Sequence, residues 1–177
     1  MECCKIGRGR VISADYIRNN SGEFPVYSSQ SFNSGILGYI KSFDFNGKYV
    51  TWTTDGAYAG SIFYREGKFN CTNVCGTLKI LDEKLIKSKY LAYILGSIAK
   101  SHVNYNTSNP KLMNNMMANI EIPIPSLETQ NKIVSILDKF DTIVNDIKEG
   151  LPKEIELRHK AYEYYRNKLL TFPSYDS

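Results

Sequence analysis

Histidine is scarce: the chain has only His102 and His159, and neither stands in an H-E-x-x-H or other ligand spacing. The four cysteines, Cys3, Cys4, Cys71 and Cys75, show no repeated metal-ligand spacing, so no metal site is expected. Cys71 and Cys75 read as strand residues, since a C-x-x-x-C without histidine partners is a weak zinc signal. No run approaches the roughly 18–20 apolar residues of a membrane span. The start, Met1-Glu2-Cys3-Cys4-Lys5, also lacks the apolar core of a signal peptide. A cytoplasmic protein without a membrane partner or a disulfide framework is expected.

Catalytic motifs are missing too. Gly47-Lys48-Tyr49 and Gly67-Lys68-Phe69 lack the hydroxyl that follows the lysine of a phosphate loop. Asp55, Glu66, Asp82 and Glu83 lie in turn-like surroundings and form no recognisable acid/base pair. Ser108-Asn109-Pro110-Lys111 contains Asn-Pro but not the Asn-Pro-Pro-Tyr-type run of amino-methyltransferases, and no glycine-rich cofactor loop precedes it. A non-enzymatic chain without a cofactor is the expectation.

A hydrophobic share of 42% and a charged share of 23% are those of a folded globular chain. Residues 1–125 carry 14 Lys/Arg against 9 Asp/Glu, while residues 126–177 carry 8 against 9. The positive excess therefore sits in the first part, which points modestly to a polyanionic partner.

Two periods divide the chain. In residues 1–125, Val26-Tyr27-Ser28, Gly38-Tyr39-Ile40, Tyr49–Thr53, Ser61–Tyr64 and Gly76–Ile80 are short β-branched and aromatic runs. Asn46-Gly47, Asp55-Gly56 and Glu66-Gly67 read as turns between them. Leu91, Ile94, Leu95 and Ile98 then recur at helical spacing. The expected fold is α/β, with a mixed, twisted, partly antiparallel sheet. Ile122-Pro123-Ile124-Pro125 is an extended exit, because proline disfavours helix in the residue before it. Ser126 is a candidate N-cap with Glu128 in the first turn.

From there Ile133, Leu137, Phe140, Val144, Ile147 and Leu151 fall at alternating steps of four and three, a heptad seam. Ile155, Tyr162 and Leu169 resume the pattern, and Gly150-Leu151-Pro152 predicts a kink or break in this coiled-coil-type helix near Pro152. The stripe can pack back on its own domain or pair with another helix. Pairing is favoured because the seam outlasts the domain.

The remaining candidates are polar and basic surface groups. Arg8 and Arg10 lie in a glycine-flanked run, Ser28, Ser29 and Gln30 in a hydroxyl and amide stretch, and Lys41, Tyr58 and Arg65 beside predicted strands. Asn106, Asn109 and Lys111 follow in an amide-rich loop. Amides and arginine can make paired hydrogen bonds to base edges, while lysine and hydroxyls serve phosphates. Each of these residues has a plain structural alternative as a turn or packing residue.

The runs Phe24-Pro25-Val26-Tyr27-Ser28-Ser29, Gly35–Ile40, Asp55-Gly56-Ala57-Tyr58-Ala59-Gly60 and Ile122-Pro123-Ile124-Pro125-Ser126-Leu127-Glu128-Thr129-Gln130 come in that order. With the closing Tyr162–Leu170, they resemble the specificity (S) subunit of type I restriction–modification systems. The resemblance implies a target-recognition domain at residues 1–125 that binds one half of a bipartite double-stranded DNA site. It implies a spacer helix region at residues 126–177, and docking to methyltransferase (modification) subunits and a motor/nuclease subunit. Family members usually hold two such domains and two helices in tandem, and this sequence holds one of each, so a homodimer through the helix is expected. An assembly or decoy fragment, and a detached recognition region of a fused restriction–methyltransferase enzyme, remain as alternatives.

Overall fold

The computed structural model describes residues 3–29, 33–106 and 108–170; for 33, 143–153, 155–156, 159, 162–163 and 165–170 it describes the backbone alone. The chain divides into two compact units, Met1–Val134 and Ser135–Ser177.

The first unit is built on a six-stranded mixed sheet of order β1-β6-β4-β5-β2-β3. Its strands are β1 (Cys4–Arg8), β2 (Ser21–Tyr27), β3 (Ile36–Ile40), β4 (Phe45–Thr53), β5 (Ile62–Cys71) and β6 (Cys75–Ile80). Helix α1 (Ala14–Asn19) lies between β1 and β2, and α2 (Ser88–Ile98) and α3 (Asn114–Ala118) follow the sheet. The β2–β5 pair is parallel and the other pairs are antiparallel. The mixed, partly antiparallel sheet expected from the sequence is the one found.

Successive strand residues face opposite sides, and β4 shows the consequence. Val50 and Trp52 join the main core with Leu78 of β6, Leu91 and Leu95 of α2, Leu112 and Met117. Tyr49 and Phe45 face the other side, where Phe69, Cys71 and Cys75 are buried. There Phe69 stacks on Phe45 at 5.2 Å and meets Tyr49 edge-on at 5.4 Å. Trp52 fits because Gly76 has no side chain: a Cβ there would lie 2.3 Å from the indole ring.

Two expected turns are not turns. Asn46-Gly47 and Glu66-Gly67 lie inside β4 and β5, with Gly47 directly opposite Gly67. Both glycines have positive φ, 112° and 94°. The local signal reported the backbone conformation correctly, but the chain does not reverse there. Asp55-Gly56 does turn, with Gly56 at φ 91°.

Helix α4 spans Leu127–Leu170, with Gly150-Leu151-Pro152 inside these bounds. Its start follows the sequence reading: the Ser126 hydroxyl accepts from the Thr129 amide at 3.3 Å, and Glu128 lies in the first turn. Gln130 is fully buried at this junction. Its amide donates to the carbonyls of Leu85 (2.9 Å) and Pro125 (2.8 Å) and accepts from the Lys87 amide (2.9 Å). Among the described residues, no helix is long and apolar enough to cross a membrane, and no group of three or more metal-ligating side chains forms.

Candidate nucleic-acid interface

The connection Thr72-Asn73-Val74 between β5 and β6 gathers several predicted site residues. Gly9 donates its amide to Cys75 O at 3.0 Å, and Arg10 donates its own to Cys71 O at 3.1 Å. This crossing requires glycine: a Cβ on Gly9 would lie 2.2–2.4 Å from the Cys71 and Thr72 carbonyls. Arg8 and Arg10 therefore flank one connection because the residue between them has no side chain.

The Arg8 side chain donates from Nε to the carbonyl of Asn73 and from Nη2 to Thr54 Oγ1 at 3.2 Å. It also stands 3.6 Å from Asp55. Asp55 pairs through its backbone with Lys111, and Gly56 donates to Pro110 O at 3.0 Å. The loop around Asn104–Lys111 is held there by four further bonds. Asn104 and Lys111 exchange backbone hydrogen bonds, Leu112 donates to Thr54 O at 2.8 Å, and Trp52 Nε1 donates to Leu112 O at 2.8 Å. Asn106, Asn109 and Lys111 are exposed on this loop, and the Asn106 amide donates to Asn104 Oδ1 at 2.9 Å. Tyr58, half exposed, projects from the Gly56–Ser61 turn beside it.

On the other side of the Thr72 connection, Arg10 donates to Asp44 at 2.8 Å and lies over the Tyr16 ring at 5.1 Å. The hydrogen bond to Asp44 raises the affinity of Arg10 for its proton above the usual value. The Thr72 hydroxyl donates to Ser28 Oγ at 3.0 Å, which brings Ser28 and the half-buried Ser29 alongside. Lys41 is exposed where β3 leads into the turn that carries Asp44, and its amide donates to Asn20 O at 3.0 Å.

Arg65 departs from expectation. It is 8% exposed, its guanidinium lies 3.6 Å from the Tyr27 ring centroid and 4.6 Å from that of Phe63, and Nη2 donates to Ser34 O at 2.6 Å. Burial pushes its pKa below the usual arginine value. It is a packing residue of β5, not part of the exposed basic group. Gln30 lies outside the described residues.

Of the seam residues, Ile133 is half-buried against the core of the first unit. Leu137 is half-buried and Phe140 is 60% exposed, and the side chains of Val144, Ile147 and Leu151 lie outside those described.

A family model described as the type I restriction modification DNA specificity domain matches residues 1–157. The chain belongs to that family. It is 47% identical over 171 residues to a putative type I specificity subunit of Mycoplasma pneumoniae, covering 97% of this chain and 56% of that protein. It is 49% identical over 171 residues to the type I restriction enzyme MpnII specificity subunit of the same organism, covering 97% and 51%. The crystal structure of a type I restriction–modification S subunit from M. genitalium superposes with a TM-score of 0.67 at 20% identity. That superposition covers 94% of this chain and 43% of the other. The HsdS subunit from Thermoanaerobacter tengcongensis gives 0.60 at 18%, over 84% and 37%. The chain thus spans about half the length of these curated relatives, and it shares the fold of these S subunits.

Within a specificity domain the connection Thr72-Asn73-Val74, exposed at Asn73, is a feature the sequence reading passed over. Its signal was present: Thr-Asn between two strand runs is turn chemistry. Asn73 is exposed with its backbone fixed by Arg8.

Proposed function

We propose that residues 1–125 read one half of a bipartite double-stranded DNA target, as the recognition domain of a type I specificity subunit. The observation that carries this reading is the convergence described above. Arg8, Arg10, Ser28, Tyr58, Asn109 and Lys111, from four separate segments, gather around one fixed connection. Arg8 and Lys111 serve phosphates or base edges, and the exposed amides of Asn106 and Asn109 read bases. Arg10 and Lys41 extend the phosphate contact, with Ser28 and Ser29 between, and Gln30, outside the described residues, is assigned to the same face from the sequence alone.

The two arginines already have carboxylate partners, but these pairs are part-exposed: 36% and 23% for Arg8–Asp55, 41% and 33% for Arg10–Asp44. Exposed ion pairs of this kind contribute about 0–1 kcal/mol, so exchange of the carboxylate for a phosphate costs little. The domain works without a catalytic group or cofactor of its own in the cytoplasm. Chemistry belongs to the methyltransferase (modification) subunits and the motor/nuclease subunit that the spacer region 126–177 docks.

Replacing Arg8, Arg10, Lys41 and Lys111 together by Ala in the assembled complex tests the assignment. Each lost phosphate contact flattens the slope of log affinity against log salt by roughly 0.9. An unchanged slope would remove these residues from the interface.

The same reading gives α4 a partner. Ile136 is 45% exposed and Phe140 60% exposed, beside half-buried Leu137, on a helix of 44 residues. A coiled-coil homodimer with two-fold symmetry covers this stripe along Leu137, Phe140, Val144, Ile147 and Leu151, and sets a recognition domain at each end. Identical domains then read identical half-sites in opposite orientation, an interrupted palindrome. Light scattering is expected to give twice 20.2 kDa, reduced to one chain by Leu137→Asp with Val144→Asp. A wild-type monomer at tens of micromolar would overturn the homodimer.

A further inference from the structure

Adjacent cysteines seldom share a ligand, because successive residues of a strand point to opposite faces. Cys3 and Cys4 are an exception. Cys3 precedes β1 and is held by the Leu81 amide on its carbonyl at 3.1 Å, while Cys4 opens the strand opposite Ile80. The two Sγ atoms lie 3.6 Å apart, and both cysteines are half-buried. Both line one cavity of about 960 Å³, whose other walls include Leu78, Leu91, Leu95, Met117 and Ile120.

We propose that Cys3 and Cys4 form a vicinal dithiol site for a trivalent arsenical carrying an apolar substituent. A soft centre bound about 2.3 Å from each sulfur spans the 3.6 Å separation at an angle of roughly 103°, close to tetrahedral. The apolar walls accept the substituent, and Lys5 and Glu121 also line the cavity.

Other occupants fit less well. A zinc-type site takes four ligands, and among the described residues no group of three or more ligating side chains exists. Burial, and then the neighbouring Cys3, push the Cys4 thiol up to about 12. A cation that must first strip both protons is therefore disfavoured. An intramolecular disulfide is disfavoured as well. Neighbouring Cα atoms are about 3.8 Å apart, below the usual 4.4–6.8 Å of a disulfide. An arsine oxide needs neither deprotonated thiols nor an oxidant. The As=O double bond and two S–H bonds break, two As–S and two O–H bonds form, one water leaves carrying the oxide oxygen and both protons, and arsenic stays trivalent.

The test is intact-mass analysis of the folded full chain with phenylarsine oxide. One arsenical per chain is expected, released by 2,3-dimercaptopropanol and retained against the same concentration of a monothiol. Cys3→Ser, at a half-buried position, should abolish the adduct, and Cys4→Ala serves as a second variant. No uptake by the wild-type chain, release by the monothiol, or an adduct that survives both substitutions would overturn the site.

Discussion

Gln130→Ala is the perturbation whose effect the structure fixes most closely. The side chain is fully buried and makes three hydrogen bonds, all to backbone groups: Leu85 O, Pro125 O and the Lys87 amide. One amide therefore ties together the loop entering α2, the proline exit and the first turn of α4. Alanine leaves two carbonyls and one N–H at the junction without that partner. An orphaned buried group costs about 1–3 kcal/mol, so three give a sum of roughly 3–9 kcal/mol. Water entering the vacated space moves the expected loss to the lower end, about 3–4 kcal/mol. That is a large part of the 5–15 kcal/mol typical of a domain. Gln130→Met fills nearly the same volume without any of the bonds, so it should recover little of the loss. Denaturant unfolding of the full chain measures both variants, and DNA preference in the assembled complex is expected to stay the same. A loss under about 0.5 kcal/mol for Ala, or full recovery with Met, would refute the hydrogen-bond account. A changed target sequence would refute the positioning role.

Two further substitutions probe the framework of the interface. Gly9→Ala places a Cβ 2.2–2.4 Å from the Cys71 and Thr72 carbonyls. It should displace the Thr72 connection and lower both stability and DNA affinity, whereas an unaffected variant would show that the crossing is not tight. Trp52→Phe removes the 2.8 Å bond to Leu112 O and leaves that buried carbonyl unpaired. A loss of about 1–3 kcal/mol is expected in denaturant unfolding, and a neutral result would mean that the loop around Asn104–Lys111 is anchored without it.

Much of this was legible in the sequence, and the failures share a physical cause. The apolar β runs, the spacing of Leu91, Ile94, Leu95 and Ile98, and the Ser126 cap all report local requirements, and local requirements are written in neighbouring residues. Helices α1 and α3, of six and five residues, are too short for a 3.6-residue period to register. Strand β1 escaped because Gly7-Arg8-Gly9-Arg10 reads as a loop, and its pairing with β6 joins Cys4 to Ile80, far along the chain. Gly47 and Gly67 misled for a subtler reason. Positive φ is required at both, but placed opposite each other the two glycines let the β4–β5 ladder continue.

Arg65 extends the same reasoning to charge. A tyrosine–arginine pair beside a strand resembles a surface contact, yet the rings of Phe63, two residues earlier on the same strand, and of Tyr27, far along the chain, enclose the guanidinium. Counting basic residues thus overstates what a polyanion can meet. Arg65 is withdrawn by burial, and Arg8 and Arg10 each hold a carboxylate. The field such a domain offers to DNA is smaller than its 14 basic residues suggest. In the proposed function, affinity would then come from groups held in fixed positions by Gly9, Trp52 and the backbone bonds around Asn73, not from an excess of free charge.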